Sequence, residues 1–219
     1  MIAFDIGANR GDWTYAALAK GYEVIALEPG KIFNQLAKNF IYDPRVTPLK
    51  MAVSMEDYQP VEFYEADEDG LSTLNEAWLT DPDLPYAGKP YKKTTCTTIT
   101  LDTLAYKYGT PDLVKVDVEG AEWNVFKGMS SYMGTIAFEW TDATLADHQL
   151  QLEYLAHGGY KEVAPQFIVE HCVEPTEWYD LAGFDLKTWV NSHAPEWEAG
   201  GWKVANLRPT GDVGMIWLK

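Results

Sequence analysis

The chain has 219 residues, 33 acidic against 17 basic, for a formal net charge of −16, and 47% of its residues are apolar. That length suits one sizeable α/β domain with a full core, while the charge sets the chain against nucleic acid, since its longest basic run is Lys92–Lys93. No stretch approaches the roughly 20 apolar residues of a membrane span, no secretion signal opens it, and Cys96 and Cys172 form no CxxC pair, so membrane, disulfide and thiolate-zinc readings fall away and a cytoplasmic protein is expected.

In chain order, residues 1–6 read as a strand, 12–20 as a helix closed by Gly21, 23–27 as a second strand, and 32–40 as a helix with Ile32, Phe33, Leu36 and Phe40 on one face. A third strand is expected over 46–53. This alternation predicts parallel strands with right-handed crossovers. The middle departs from it: 61–66 is strand-like, 67–89 is an Asp-, Gly- and Pro-rich surface excursion, and 94–101 is Thr-rich and β-prone. A short helix over 102–108 ends at Gly109. The pattern then resumes with a strand at 113–118, a helix at 121–127, a strand at 135–140 and a helix at 145–157. Segments 160–163, 167–173 and 213–218 are candidate last strands, forming an antiparallel hairpin, with a short helix at 184–191 between them.

Three segments carry chemistry. Phe4-Asp5-Ile6-Gly7-Ala8-Asn9-Arg10-Gly11-Asp12 places an acid at a strand end and a glycine turn before a helix. Gly7 permits a tight turn, and Gly11 lets backbone approach a ligand. The pattern is GxNxG rather than the GxGxxG that cradles a pyrophosphate. A ligand without phosphate, such as S-adenosylmethionine (SAM), suits it, with Asp5 facing the ammonium of the methionine part. In Leu27-Glu28-Pro29, the Glu28 carboxylate stands where an α/β nucleotide fold grips both ribose hydroxyls. In Leu113 through Glu122, the charges Lys115, Asp117 and Glu119 alternate along a strand otherwise apolar. Buried charges are costly unless paired, so they read either as site residues at the strand's carboxyl end or as a stabilising Lys115–Asp117 ion pair.

Taken together, FDIGANRGDWT, ALEPG, TTITLDTL and LVKVDVEGAEWNVFKGM, in that order, resemble the FkbM family of SAM-dependent methyltransferases from about Met1 to Trp140. The resemblance implies a Rossmann-like class I methyltransferase fold, an α/β architecture with seven mostly parallel strands in order 3-2-1-4-5-7-6 and helices on both faces. It implies one domain, with residues 1–140 as the SAM-binding core and 141–219 as C-terminal strands and acceptor-binding elements. It implies O-methylation of a sugar or similar hydroxyl acceptor. By the same resemblance Asp5, Gly7, Asn9 and Gly11 form the methionine loop, Glu28 holds the ribose, and Ala52 and Val53 lie near the adenine. Ser72 belongs to a segment closing over the site, and Asp117, Glu119 and Glu122 lie near the methyl group or its acceptor.

A sugar hydroxyl needs a base as it attacks. Asp117 is the first candidate and Glu139, ending the fifth strand, the second. His148 is a third, although its helical setting suggests a surface position. A divalent cation, magnesium or calcium on Asp117, Glu119 and Glu139, is a less favoured route, and no spacing supports a transition-metal site. Nine tryptophans is a high count. Trp178, Trp197 and Trp202 are candidates for an exposed sugar-stacking wall, Trp217 for core, and Trp13 and Trp123 for the flanks of a cleft. Two other readings compete: an NAD-dependent oxidoreductase or epimerase, which predicts a GxGxxG and a Tyr-x-x-x-Lys pair that the chain lacks, and a non-catalytic glycan-binding protein on the same fold.

Overall fold

In the computed structural model the alternating apolar runs become a parallel βαβ core, built around a strand whose inner four residues are all buried. The structure describes residues 1–167, 174–199 and 213–219, in two units, Met1–Ile136 and Ala137–Lys219.

In the first unit β1 (Ile2–Ile6) lies between parallel partners, a position that favours an apolar run, which Asp5 alone interrupts. α1 (Asp12–Ala19) begins at Gly11, which sits in the left-handed region at φ 93. β2 (Glu23–Leu27), α2 (Phe33–Asn39) and β3 (Val46–Leu49) follow, and β2 pairs in parallel with both β1 and β3. The single strand expected over 46–53 is in fact two. β3 stops where the Leu49 carbonyl accepts the Glu28 N–H, at 3.1 Å, and β4 (Ala52–Val53) leaves for a different sheet. That second sheet has the order β4-β6-β5, in which β5 (Pro60–Ala66) and β6 (Tyr91–Ile99) are antiparallel. The excursion between them folds back to bridge Thr73 with Tyr64 and winds one turn, α3 (Ala77–Thr80). It has an apolar cluster of its own, Leu71, Trp78, Leu79 and Tyr86, packed with Tyr64 and Ala66.

α4 (Leu101–Tyr108) is capped by Thr100, whose hydroxyl accepts the Thr103 N–H at 3.1 Å. β7 (Leu113–Val116) returns to the main sheet beside β1, with Lys115 opposite Asp5. α5 (Glu122–Lys127) follows, and β8 (Thr135–Thr141) starts where the Thr135 N–H donates to the Asp112 carbonyl at 3.0 Å.

The second unit continues with α6 (Leu145–His157), β9 (Glu162–Gln166), β10 (Tyr179–Asp180), α7 (Leu186–Ala199) and β11 (Val213–Leu218). β11 and β10 both pair antiparallel with β9, so the last strands are antiparallel as expected, although long connections rather than a hairpin turn join them. The strand expected at 160–163 starts later, because Tyr160 still closes the preceding helix by donating to the Leu155 carbonyl at 3.3 Å. The helix expected at 184–191 is the longer α7. Of the candidate strand 167–173 only Phe167 is described, and it is a bend.

The hydrogen-bonded order is β3-β2-β1-β7-β8-β11-β9-β10. The first seven repeat the implied order 3-2-1-4-5-7-6, and the two-residue β10 makes an eighth strand where seven were expected. No described helix is long and apolar enough to cross a membrane. Cys96 is buried and free, while Cys172 lies outside the described residues.

Candidate functional site

The carboxyl ends of β1, β2 and β7 lie at one edge of the parallel sheet, the edge at which such sheets bind ligands. There the glycine turn wraps tightly: the N–H groups of Gly7 and Ala8 both donate to the Leu27 carbonyl, at 3.0 and 2.8 Å. A Cβ on Gly7 would stand 1.8 Å from the Asp117 carbonyl oxygen, so no other residue fits between β1 and β7. Gly11 answers a different need. The space of its missing side chain is taken by Phe40, whose ring would lie 2.3 Å from a Cβ added there, so packing against α2 rather than ligand approach requires this glycine. Asn9 takes φ 49, a left-handed turn position that Asn tolerates better than most residues.

Asp5 does not face outward. It is fully buried, accepting the Thr14 hydroxyl at 2.6 Å on one oxygen and lying 3.2 Å from Lys115 Nζ on the other. Lys115 Nζ also donates to the Gly7 carbonyl at 2.7 Å and lies 3.4 Å from Asp117 Oδ2. Burial alone would lower the lysine pKa, but the charges of Asp5 and Asp117 outweigh it and push it up to about 12. One ammonium thus ties the buried acid, the glycine turn and the partly exposed Asp117 together. The suspected Lys115–Asp117 ion pair exists, and it is part of this larger network.

Glu28 meets the glycine turn directly. Its Oε2 accepts the Asn9 N–H at 3.1 Å and its Oε1 accepts the Gly30 N–H at 2.8 Å. Burial raises its pKa, and those two N–H groups together with Lys115 offset only part of the rise. Phe63, which the sequence did not single out, lies 3.2 Å from where a Gly30 Cβ would stand. It shares an apolar cluster with Ala52 and Cys96, so Ala52 on β4 is joined to the Glu28 neighbourhood. Val53 is buried and pairs with Ile99. Burial, aided by the charge of Glu28, pushes the Cys96 thiol up to about 11 and keeps it protonated.

Beyond β7 the chain turns rather than continuing as a strand, so Lys115, Asp117 and Glu119 do not simply alternate. Asp117 keeps 32% of its side chain exposed. Glu119 is buried, with a carboxylate oxygen within 4.8 Å of one on Asp117. Glu119 Oε2 accepts the indole N–H of Trp78 at 2.9 Å. Glu122 turns back onto the loop, accepting the N–H groups of Val118 and Gly120 at 3.4 and 3.3 Å. Burial and then the nearby charge of Asp117 push its carboxyl up to about 7 against those N–H groups.

The excursion and the end of β5 together touch the loops after β1, β2 and β7. Asp69 pairs with Arg10 of the glycine turn, the Ala66 carbonyl accepts from Lys31 Nζ at 3.0 Å, and Asn75 Nδ2 donates to the Gly120 carbonyl at 3.0 Å. Ser72 staples its base, accepting the Ala66 N–H at 3.1 Å.

The remaining candidates belong to other elements. Glu139 is buried on β8 in the second unit. His148 is not on the surface: Nε2 contacts the Thr144 hydroxyl at 2.9 Å, Nδ1 contacts Gln151 Oε1 at 3.0 Å, and burial lowers its pKa. Trp13 is buried rather than flanking a cleft, and Trp123 is half-buried with Lys127 over its ring. Trp217 is core, as expected. Trp178 is half-buried beneath Lys219 Nζ, 4.0 Å from its ring centroid. The Trp197 side chain and all of Trp202 lie outside the described residues.

Residues 5–162 match the model of the methyltransferase FkbM domain. The chain belongs to the FkbM methyltransferase family. It is a SAM-dependent methyltransferase, and the oxidoreductase reading is set aside. No curated protein matches the chain in sequence. Among solved structures, it is similar to the candidate RNA methyltransferase PH1948 from Pyrococcus horikoshii (10% identity, TM-score 0.43, all of this chain and 73% of that one). It is also similar to a candidate methyltransferase of an antibiotic biosynthesis pathway from Anabaena variabilis (14%, TM-score 0.41, 100% and 90%). A third is the glycopeptide N-methyltransferase MtfA, solved with sinefungin (12%, TM-score 0.36, 100% and 79%). At these scores the likenesses carry no argument about substrate.

The residues present suit SAM. The two Glu28 oxygens each take one backbone N–H, and a carboxylate oxygen has a second acceptor site, which leaves capacity for a vicinal diol. Asn9 and Gly7 at the turn would hold the methionine end, and Ala52 and Phe63 would offer an apolar wall to the base.

Proposed function

We propose that this methyltransferase methylates a hydroxyl of a sugar or similar polyhydroxylated acceptor, with Asp117 as the base. The observation that carries the reading is the chain of contacts from the Gly7 carbonyl through Lys115 to Asp117, at 2.7 and 3.4 Å. It sets a partly exposed carboxylate against the donor-binding turn. SAM, when bound, supplies a methyl group on a cationic sulfur that is already a good leaving group. Glu28 accepts the ribose hydroxyls, and the glycine turn holds its carboxylate in place through the Asn9 N–H. Asp117 Oδ receives the proton that an acceptor hydroxyl must lose as it attacks. Alignment and exclusion of water provide the rest. A net charge of −16 favours a neutral acceptor over nucleic acid.

Calorimetric titration with SAM and labelled methyl transfer onto a panel of glycosides and amines test this. Asp117→Asn should lower kcat about 100-fold or more, the range of a general base, with the SAM Kd within about twofold. Full activity in that variant removes Asp117 from the role, and transfer to amines alone overturns the hydroxyl acceptor. A cation-assisted route through Asp117 and Glu119 predicts that a chelator abolishes turnover and magnesium restores it.

A further inference from the structure

Glu119 is held in an unusual way. It takes φ 54 and Gly120 takes φ 83, two successive left-handed residues immediately beyond β7. A non-glycine residue seldom adopts that region, so other contacts must hold it there. They come from the excursion. The Asn75 N–H donates to the Thr73 hydroxyl at 2.9 Å, Asn75 Oδ1 accepts the Ala77 N–H at 3.2 Å, and this local winding delivers two side chains to one turn. Asn75 Nδ2 reaches the Gly120 carbonyl at 3.0 Å, and the Trp78 indole N–H reaches Glu119 Oε2 at 2.9 Å. The Trp78 ring lies where a Gly120 side chain would be, 2.6 Å from its Cβ position. Both Trp78 and Glu119 are buried, so this is a desolvated hydrogen bond. An indole N–H only donates, so its partner oxygen is fixed as an acceptor.

We propose that Trp78 is a positioning residue for methyl transfer: its indole N–H aims the Glu119 carboxylate beside Asp117, so that the excursion sets the geometry at the acceptor end. The proposal rests on the reading of the Asp117 edge as the transfer site. The donor turn is held by other contacts, Asn9 to Glu28 and Lys115 to Gly7, so removing the indole N–H leaves SAM binding intact. A clamp that served the fold alone would lower stability and leave kcat unchanged.

The test uses the full chain with Trp78→Phe, Glu119→Gln, the double variant, and Trp78→His as a donor-restoring variant. Trp78→Phe should lower kcat about tenfold while the SAM Kd moves less than about twofold, and Trp78→His should recover part of the rate. The double variant should be no slower than Glu119→Gln alone, because an amide oxygen can still accept the indole N–H but leaves no carboxylate for it to aim. In proton–nitrogen spectra of the protein, the Trp78 indole resonance, identified by its loss in Trp78→His or Trp78→Phe, should shift on Glu119→Gln; this readout needs no acceptor. Unchanged kcat in Trp78→Phe, multiplicative losses in the double variant, or an indole resonance indifferent to Glu119→Gln overturns the proposal. Because hydroxyl and amine acceptors are both assayed, failure of the hydroxyl panel rejects the acceptor reading alone, while the amine rates and the spectrum still decide Trp78.

Discussion

In the first unit the buried polar groups include five ionisable side chains, Asp5, Glu28, Lys115, Glu119 and Glu122, whereas those in the second, among the described residues, are Thr141, His148, Gln151 and a single buried carboxylate, Glu139. The partners differ as well. Glu28 and Glu122 are answered by backbone N–H groups, and Asp5 by Lys115 and Thr14. The second unit relies on neutral pairs: the His148 ring with Thr144 and Gln151, and the indole N–H groups of Trp140 and Trp217 with Gln166. Neutral networks specify packing, while each buried charge carries a desolvation cost of several kcal/mol. Among the described buried groups, ionisable side chains gather in the first unit, on or just beyond β1, β2 and β7, and those of the second unit other than Glu139 are neutral or weakly basic.

The largest expected effect strikes the ionic region. Lys115→Met leaves Asp5 and Asp117 without their cation and should destabilise the protein by about 3–5 kcal/mol in urea unfolding; adding Asp5→Asn should recover part of it. A loss below about 1 kcal/mol would mean the network behaves like a surface ion pair, and the contrast would fall. Next comes Glu122, whose folded carboxyl titrates near 7 rather than 4.5. Between those values the folded state holds a proton that the unfolded chain has lost. Stability should therefore fall as pH rises through that window, by on the order of 3 kcal/mol, and Glu122→Gln should flatten the slope. The smallest effect belongs to His148, whose folded pKa lies below its ordinary 6.5. Its contribution is complete above about pH 6.5 and is lost as pH falls below it. His148→Gln should remove that opposite slope in melting measured from pH 5 to 8. If both variants change the pH profile in the same direction, the two regions do not differ as described.

The glycine turn and Glu28 were legible because strand, turn and acid recur at fixed spacing, and the structure puts Asn9 and Glu28 3.1 Å apart. Asp5 was recognised as important, but its direction was not legible. A central strand is covered on both faces, and only the register with β7, which sets Asp5 opposite Lys115, shows that its partner lies inside. His148 was placed on the right helix and the wrong face. His148, Gln151, Leu152 and Leu155 form the buried stripe, an i, i+3, i+4, i+7 pattern that the sequence did contain. Trp78 was beyond reach, because its partner lies 41 residues away and the surrounding Asp, Gly and Pro read as plain loop. The split of the third strand was likewise hidden, since leaving one sheet for another depends on where β6 stands.

The excursion's private cluster of Leu71, Trp78, Leu79 and Tyr86 has an evolutionary corollary. A segment that packs largely on itself and grips the core through a few side chains can be lengthened, shortened or exchanged while the strands beneath keep their alignment.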